Sequence, residues 1–461
     1  MVVERKPVVV VGLARSGVAA ALLLARRGEA VVATDRKGPG ELQEEVLTLE
    51  AAGVKVELGG HEAATFARAS RVVVSPGVPF DLPELMAARR AGVPVLAEIE
   101  LAFEHLKGTV VAVTGTKGKS TTTAALGAML KEAGRDARVG GNIGEALSSL
   151  VEGSTEETVF AVEVSSFQLE GILRFRPHVA VFLNLSADHL DRHPSLLAYA
   201  AAKARIFEKQ EGDDFAVVNA DDPGVLALAR AGRARVVPFT SEGVPVGDAA
   251  FFGQGVARLR FDGRDEALFA LTDVRLPGAH LAADLLAAAT AARLLGVPPE
   301  AIVRAVRAFR GVEHVLEHVA TVDGVDYYND SKATNVDAAG KSLAAFPRPV
   351  LLILGGRYKG GDFADLAPGL RAHGKRVLAI GEAQERIARS LEAVVPVDRA
   401  SSLEDAVVRA RAAAAPGDVV LLAPACSSFD MFKDYADRGR RFKEEVRRLA
   451  VPDPKERSNR G

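Results

Sequence analysis

Short runs of Val, Ile and Leu recur along this chain of 461 residues, and most are followed by Ala-, Leu- and Arg-rich stretches with helical spacing. Strands buried on both faces read as continuous apolar runs, so this alternation predicts an α/β fold of parallel sheets covered by helices. Domains commonly hold about 100–200 residues, too few to account for the whole length as one core. The texture divides into three blocks, 1–97, 98–311 and 312–461. In the first, Pro7 to Val11, Ala30 to Thr34, Arg71 to Val74 and Val93 to Ala97 are strand candidates. The second opens with a strand from Thr109 to Thr114 and a helix from Ser120 to Ala133, then strands at Thr158 to Val164, Val179 to Leu185 and Phe215 to Asn219. It becomes a β-meander over 235–276, where Asp262-Gly263 marks a hairpin, and closes with two helices. The third starts with a hairpin at Asp323-Gly324 and alternates strands at Val350 to Leu354, Arg376 to Ile380 and Val419 to Leu422 with helices.

Composition narrows the partners. Hydrophobic residues at 48% and charged residues at 26% are those of a folded globular chain. A formal net charge of −2 leaves no basic excess for nucleic acid or an anionic membrane, so neither is expected as a partner. No apolar run approaches the ~18 residues of a membrane span. Met1-Val-Val-Glu-Arg-Lys6 runs into a strand without a small-residue cleavage site, which argues against a signal peptide. A single cysteine, Cys426, excludes an intramolecular disulfide and fits a reducing compartment. The expectation is a cytoplasmic enzyme.

The segment Gly115-Thr-Lys-Gly-Lys-Ser-Thr121 joins a strand to a helix. Glycines there let backbone N–H groups turn inward, the helix N-terminus adds partial positive charge, Lys119 reaches terminal phosphates and Ser120 can hold Mg²⁺. The general nucleotide loop places four residues between its glycines, whereas this one places two, Thr116 and Lys117. The bland alternative is a glycine turn that happens to precede a helix. Gly12-Leu-Ala-Arg-Ser-Gly17 also joins a strand to a helix, with Asp35 ending the next strand. Ala14 stands where a dinucleotide site needs glycine, so a different nucleotide diphosphate is favoured over NAD, with a ligand-free tight turn as the alternative.

Glu163 lies in the apolar run Val159 to Ser165, where an unpaired carboxylate is costly and a metal ion or basic partner would offset the burial. It reads equally as a partly solvated strand end. Ser186-Ala-Asp-His-Leu-Asp-Arg-His193 follows a strand, at the sheet edge where α/β sites cluster, and offers metal ligands or an oriented base. Lys203, in an alanine-rich helix from Leu196 to Glu208, reads by itself as a solvated helix lysine.

Together the motifs resemble the Mur ligases, and within them the branch that adds D-glutamate to UDP-N-acetylmuramoyl-L-alanine. The likeness covers nearly the whole chain and rests on Gly115 to Thr121, Gly140-Gly-Asn-Ile-Gly144, Glu163-Val-Ser-Ser-Phe-Gln168, Asp188-His-Leu-Asp-Arg192, Ala201-Ala-Lys203, Val218-Asn-Ala-Asp-Asp222, Asn329-Asp-Ser-Lys-Ala-Thr-Asn335 and Pro424-Ala-Cys-Ser-Ser-Phe-Asp430, in the family's order. The resemblance implies a Rossmann-like first domain for the UDP-sugar, a central P-loop ATPase-type domain with a small β-meander, and a Rossmann-like third domain for the amino acid.

It further implies roles residue by residue. Arg15, Ser16, Asp35, Arg36, Ser75, Gly77, Asn142 and His189 would meet the UDP-sugar. Gly115, Thr116, Lys117, Gly118, Lys119, Ser120, Thr121, Thr122, Asp284 and Asp330 would meet ATP. Ser120, Glu163, His189 and a carbamylated Lys203 would hold two Mg²⁺ ions, with Lys119, Glu163, His189 and Lys203 as the catalytic set. Lys332, Thr334, Lys359, Ser428 and Tyr435 would bind D-glutamate, two lysines and hydroxyl donors suiting two carboxylates. The Asp-Asn-Pro-Arg motif of relatives that add diaminopimelate or lysine is not found. Departures stand at Leu281 and Asp284, where the family has asparagines, and at Val315, where it has arginine. The expected state is a monomer.

Rival readings explain less. A folylpolyglutamate synthetase shares the short glycine loop but gives no reason for a UDP-type first block. An NAD-dependent oxidoreductase accounts for Gly12 to Asp35 and not for the central loop and metal cluster. A regulatory protein with a decayed ATP site accounts for Val315 alone.

Overall fold

A computed structural model describes residues 6–186, 188, 192–275 and 278–450. The first sheet holds β1 (Val8–Val11), β2 (Val31–Asp35), β3 (Lys55–Leu58), β4 (Arg71–Val74) and β5 (Val95–Ala97) in the order β3-β2-β1-β4-β5. All its pairings are parallel. The second sheet holds β6 (Thr109–Thr114), β7 (Ala137–Gly141), β8 (Val159–Glu163), β9 (Val179–Phe182), β10 (Phe215–Asn219), β11 (Arg235–Thr240), β12 (Ala249–Gly253), β13 (Val256–Phe261) and β14 (Arg264–Ala270). Its order is β14-β13-β12-β11-β10-β9-β6-β8-β7, parallel except for the antiparallel meander β12-β13-β14. The third sheet holds β15 (Glu317–Val322), β16 (Val325–Asn329), β17 (Val350–Gly355), β18 (Gly374–Ile380), β19 (Val397–Arg399) and β20 (Val419–Leu422) in the order β15-β16-β20-β17-β18-β19. Only its opening hairpin is antiparallel.

Period-two alternation explains how these sheets are filled. In β6, Val110 and Ala112 enter one apolar core, while Val111 and Val113 enter another with Leu126, Met129 and Leu285. The first of those cores also contains Val8 to Val11, Val72 to Val74 and Leu96, so the first and second sheets share it. Consistently, the described residues within 6–274 and 283–309 form one compact unit, and those at 275, 278–282 and 310–450 form a second. In the second unit, Val419 and Leu421 face one core and Val420 and Leu422 the other. Both hairpin turns take the left-handed backbone that Asp-Gly favours, with φ of 50° and 74° at Asp262 and Gly263 and 52° and 77° at Asp323 and Gly324.

Among the described residues no helix is long and apolar enough to cross a membrane. The glycine turn at residues 12–17 explains the local packing of β1 against the helix Arg15–Arg26: a Cβ on Gly17 would lie 1.8 Å from the Gly12 carbonyl oxygen. Gly17→Ala is therefore expected to cost about 3 kcal/mol in urea denaturation, the upper end of overpacking penalties. Gly40→Ala, which meets nothing within 4 Å, should stay within about 0.5 kcal/mol.

Candidate active site

The phosphate loop begins where β6 ends, between β8 and β9. Gly118 takes φ 82° as the residue before the helix Lys119–Glu132, and a Cβ there would strike the Asp284 carboxylate at 2.2 Å. Only glycine fits this position. Ser120, Thr121 and Thr122 are buried in the first helical turn. Lys119 folds back over its loop, its Nζ donating to the carbonyls of Gly115 and Thr116, each at 2.9 Å. Asn184 clamps the same loop: its Oδ1 accepts from Lys117 N at 2.9 Å, and its Nδ2 donates to Lys117 O at 3.1 Å. Thr116 Oγ1 donates to Ser186 O and accepts from Ser186 N. Asn184, which holds Lys117 by both its N–H and its carbonyl, is not among the residues the sequence points to, whereas Ser186 opens the segment Ser186 to His193. The available signal was an asparagine breaking an otherwise apolar run after β9.

Register brings the next residue in. Glu163 ends β8 opposite Val113 of β6 and Gly141 of β7. It is 1% exposed, and both oxygens are satisfied: Oε2 accepts from Ser120 Oγ at 2.6 Å and Oε1 from Asn142 Nδ2 at 2.8 Å. The partly solvated strand-end alternative is thereby excluded. One carboxylate links the loop hydroxyl to the glycine-rich Gly140 to Gly144 turn.

Lys203 corrects its local reading. It is not a solvated helix lysine but 1% exposed, because its face of the helix Leu196–Ala204 packs inward. Its Nζ donates to Gly115 O at 2.8 Å and Thr114 Oγ1 at 3.4 Å, and lies 4.7 Å from the Tyr199 ring centroid. Burial, reinforced by the Lys119 ammonium, holds its pKa well below the usual lysine value against the opposing pull of Asp188 and Glu163. Burial also pushes the Tyr199 phenol up to about 12. His189 lies outside the described residues. Among the described residues no group of three or more His, Cys, Asp and Glu side chains forms a metal cluster; the expected ligands that are described are a hydroxyl, a carboxylate and a lysine.

In the first sheet, Asp35 Oδ2 accepts from Leu13 N at 2.6 Å and its Oδ1 from Lys37 N at 2.9 Å. Ser75 Oγ donates to Gly12 O at 2.7 Å. These two residues fasten the glycine turn from below, Ser16 is buried beside it, and Arg15, Arg36 and Gly77 are exposed.

In the second compact unit, Asp330 is a buried brace: its Oδ1 accepts from Leu316 N at 3.3 Å and its Oδ2 from Ser342 Oγ. Lys332 N donates to His314 O, and His314 Nδ1 and Asn329 Nδ2 lie 2.8 Å apart. Ala425 N donates to Ala333 O, which ties the turn carrying Lys332 and Thr334 to the loop carrying Ser428. Ser428 is buried, Tyr435 is exposed, and Lys359 Nζ stands 6.0 Å from the Phe429 ring centroid.

Three family models match the chain: "Mur ligase MurD-like, N-terminal domain" over residues 6–97, "Mur ligase middle domain" over 113–292, and "Mur ligase, glutamate ligase domain" over 316–426. A UDP-N-acetylmuramoylalanine-D-glutamate ligase of Acidobacterium capsulatum is 48% identical over 97% of this chain and 97% of its own. The chain belongs to the Mur ligase family. A second relative with the same printed name, from Geotalea daltonii, is 46% identical over 98% of this chain and all of its own. Solved Mur ligases share the fold: the UDP-N-acetylmuramate-alanine ligase MurC of Thermotoga maritima has a TM-score of 0.59 at 20% identity, covering 96% of this chain and 99% of its own. MurF of the same organism, in complex with ADP, has a TM-score of 0.60 at 19% identity, covering 92% and 96%.

The departures at Leu281 and Asp284 stand in buried surroundings. Leu281 is buried in an apolar cluster with Leu316, Ala333 and Val336, where an amide would lose its hydrogen bonds to water. Asp284 is buried against Gly118, and its carbonyl accepts from Thr122 Oγ1. Desolvation raises its carboxyl from 3.8 to about 8, with Lys119 opposing. The folded chain thus keeps a proton there that the unfolded chain has lost between those values. The contribution is complete below the unfolded value and is lost as pH rises through the folded one. Asp284→Asn removes this titration. In urea denaturation the variant should gain stability relative to the parent between about pH 4 and about pH 8, whereas a pH-independent difference would contradict the assignment.

Proposed function

We propose that this chain is an ATP-dependent ligase that joins D-glutamate to UDP-N-acetylmuramoyl-L-alanine through an acyl phosphate, in peptidoglycan precursor synthesis in the cytoplasm. The observation that carries the reading is the shortened phosphate loop whose Ser120 is bonded to the buried Glu163 and whose Gly115 carbonyl accepts from both Lys119 and the buried Lys203. The names of relatives at 46% and 48% identity over nearly full length support the same substrates.

The residues present suit ATP and Mg²⁺. A glycine-lined turn at a helix N-terminus accepts phosphate oxygens, Lys119 is within reach of them on its own loop, and Ser120 with Glu163 forms an oxygen-donor pair that a hard cation prefers. Mg²⁺, when bound, neutralises phosphate charge as the γ-phosphoryl group moves. In this reading Ser120 and Glu163 hold the first ion, and His189 with Lys203 the second. A neutral Lys203 amine can add to CO₂, forming an N–C bond and losing a proton, which turns the side chain into an anionic oxygen ligand. Its lowered pKa favours the nucleophilic form.

The chemistry follows in two steps. The alanyl carboxylate attacks the γ-phosphorus, the bond to the β-phosphate oxygen breaks, and ADP departs with the electron pair. Lys119 and the loop N–H groups from Gly118 to Thr121 stabilise the charge that spreads over the phosphoryl oxygens. The D-glutamate amine then attacks the acyl carbon, loses a proton, and the tetrahedral intermediate expels phosphate. Blocks 1–97, 98–311 and 312–461 divide the work. Arg15, Ser16, Asp35, Arg36, Ser75, Gly77 and Asn142 serve the UDP-sugar; Asp284 and Asp330 support the ATP region; Lys332, Thr334, Lys359, Ser428 and Tyr435 take the two carboxylates of the acceptor.

Phosphate release measured with UDP-N-acetylmuramoyl-L-alanine, ATP and a panel of D- and L-amino acids should depend strictly on D-glutamate, and release with a folate in its place would overturn the assignment. Lys119→Ala should abolish that release; near-normal turnover would contradict the role of the loop. Carbon-labelled bicarbonate should give a carbamate resonance in the parent that disappears in Lys203→Ala, and a spectrum without that resonance would remove Lys203 as a modified ligand.

A further inference from the structure

Arg438 lies in the first turn of the helix Tyr435–Ala450 and is 0% exposed. A buried cation is ordinarily paired with a carboxylate, because desolvating it alone is costly. Among the described residues Arg438 has no ion pair. Its guanidinium hydrogen bonds go to neutral acceptors: Nε donates to Ser331 Oγ at 2.9 Å, Nη2 to Ser331 O at 2.9 Å and Nη1 to Cys426 O at 3.2 Å. Gly356 is packed against the same group, a Cβ there lying 3.3 Å from Nη1. Ser331 Oγ in turn donates to Tyr435 O at 2.7 Å, which closes the network onto the helix end. Burial lowers the guanidinium to about 10, which leaves it charged at neutral pH.

The segments that meet on this one fork are the neighbours of the acceptor residues. Ser331 precedes Lys332, Cys426 lies two residues before Ser428, and Gly356 lies three before Lys359. We propose that Arg438 is the positioning residue of the acceptor amino-acid site: its planar fork fixes the Ser331 turn and the Cys426 loop at the spacing with which Lys332, Thr334 and Ser428 grip one dicarboxylic ligand. This rests on the acceptor assignment made above. A lysine would keep the charge yet cannot hold two segments in a fixed plane.

The test separates this proposal from the functional reading. The parent chain is first assayed for phosphate release against the amino-acid panel, and the acceptor that supports turnover is the one titrated in the variants. Arg438→Lys should raise the KM for that acceptor about tenfold or more, while the KM values for ATP and the UDP-sugar stay within about twofold. Ser331→Ala, which deletes only the hydroxyl that accepts from Nε, should raise the acceptor KM about threefold or more with the thermal transition little changed. It decides the matter if Arg438→Lys does not fold. An unchanged acceptor KM in a folded variant, or equal losses for all three substrates, would show a purely structural tie and overturn the proposal. Failure of D-glutamate itself in the parent assay would overturn the functional reading alone.

Discussion

Two lysine side chains are aimed at a single backbone carbonyl. Lys119 approaches Gly115 O from the helix that follows the phosphate loop, at 2.9 Å, and Lys203 approaches it from the helix Leu196–Ala204, at 2.8 Å. Burial in a place that excludes water, and after it the Lys119 ammonium, disfavour charge on Lys203, with Asp188 and Glu163 opposing. The Lys203 pKa is thereby held well below the usual lysine value. The phosphate loop and the helix Leu196–Ala204 are tied to each other through that one shared acceptor.

The sheet supplies the shared acceptor and its neighbours through register. Strands β6 and β8 pair in parallel so that Val113 lies opposite Glu163, and the chain leaves β6 into Gly115 just beyond. Alternation along β8 sends Phe160 and Val162 into one core and Val159 and Ala161 into the other. A one-residue slip would exchange these sets and carry the carboxylate away from Ser120. The apolar packing of the sheet and the position of the catalytic oxygen are therefore a single constraint.

The interior parallel strands could be read from the residues because being covered on both faces demands uninterrupted Val, Ile and Leu. Val419 to Leu422 and Thr109 to Thr114 fall where their apolar runs place them. Three edge strands, Lys55–Leu58, Ala137–Gly141 and Val397–Arg399, were not anticipated: an edge strand is covered less, and these carry charges or glycines in place of an apolar run. The phosphate loop and Glu163 were visible because glycine spacing and a carboxylate in an apolar run are local signals. Asn184 and Arg438 were not, and Lys203 was visible only through the family resemblance, since each acts on a segment distant in sequence. A lysine among alanines looks solvated until the fold lays the Gly115 carbonyl against it.

The central claim is that the alanyl carboxylate is activated by phosphorylation at the loop. It is tested most directly by following oxygen from UDP-N-acetylmuramoyl-L-alanine whose carboxylate carries a heavy oxygen isotope. Acyl-phosphate chemistry leaves one carboxylate oxygen on the departing phosphate, so the inorganic phosphate should carry the label in step with amide formation. Unlabelled phosphate accompanying amide product would contradict the account.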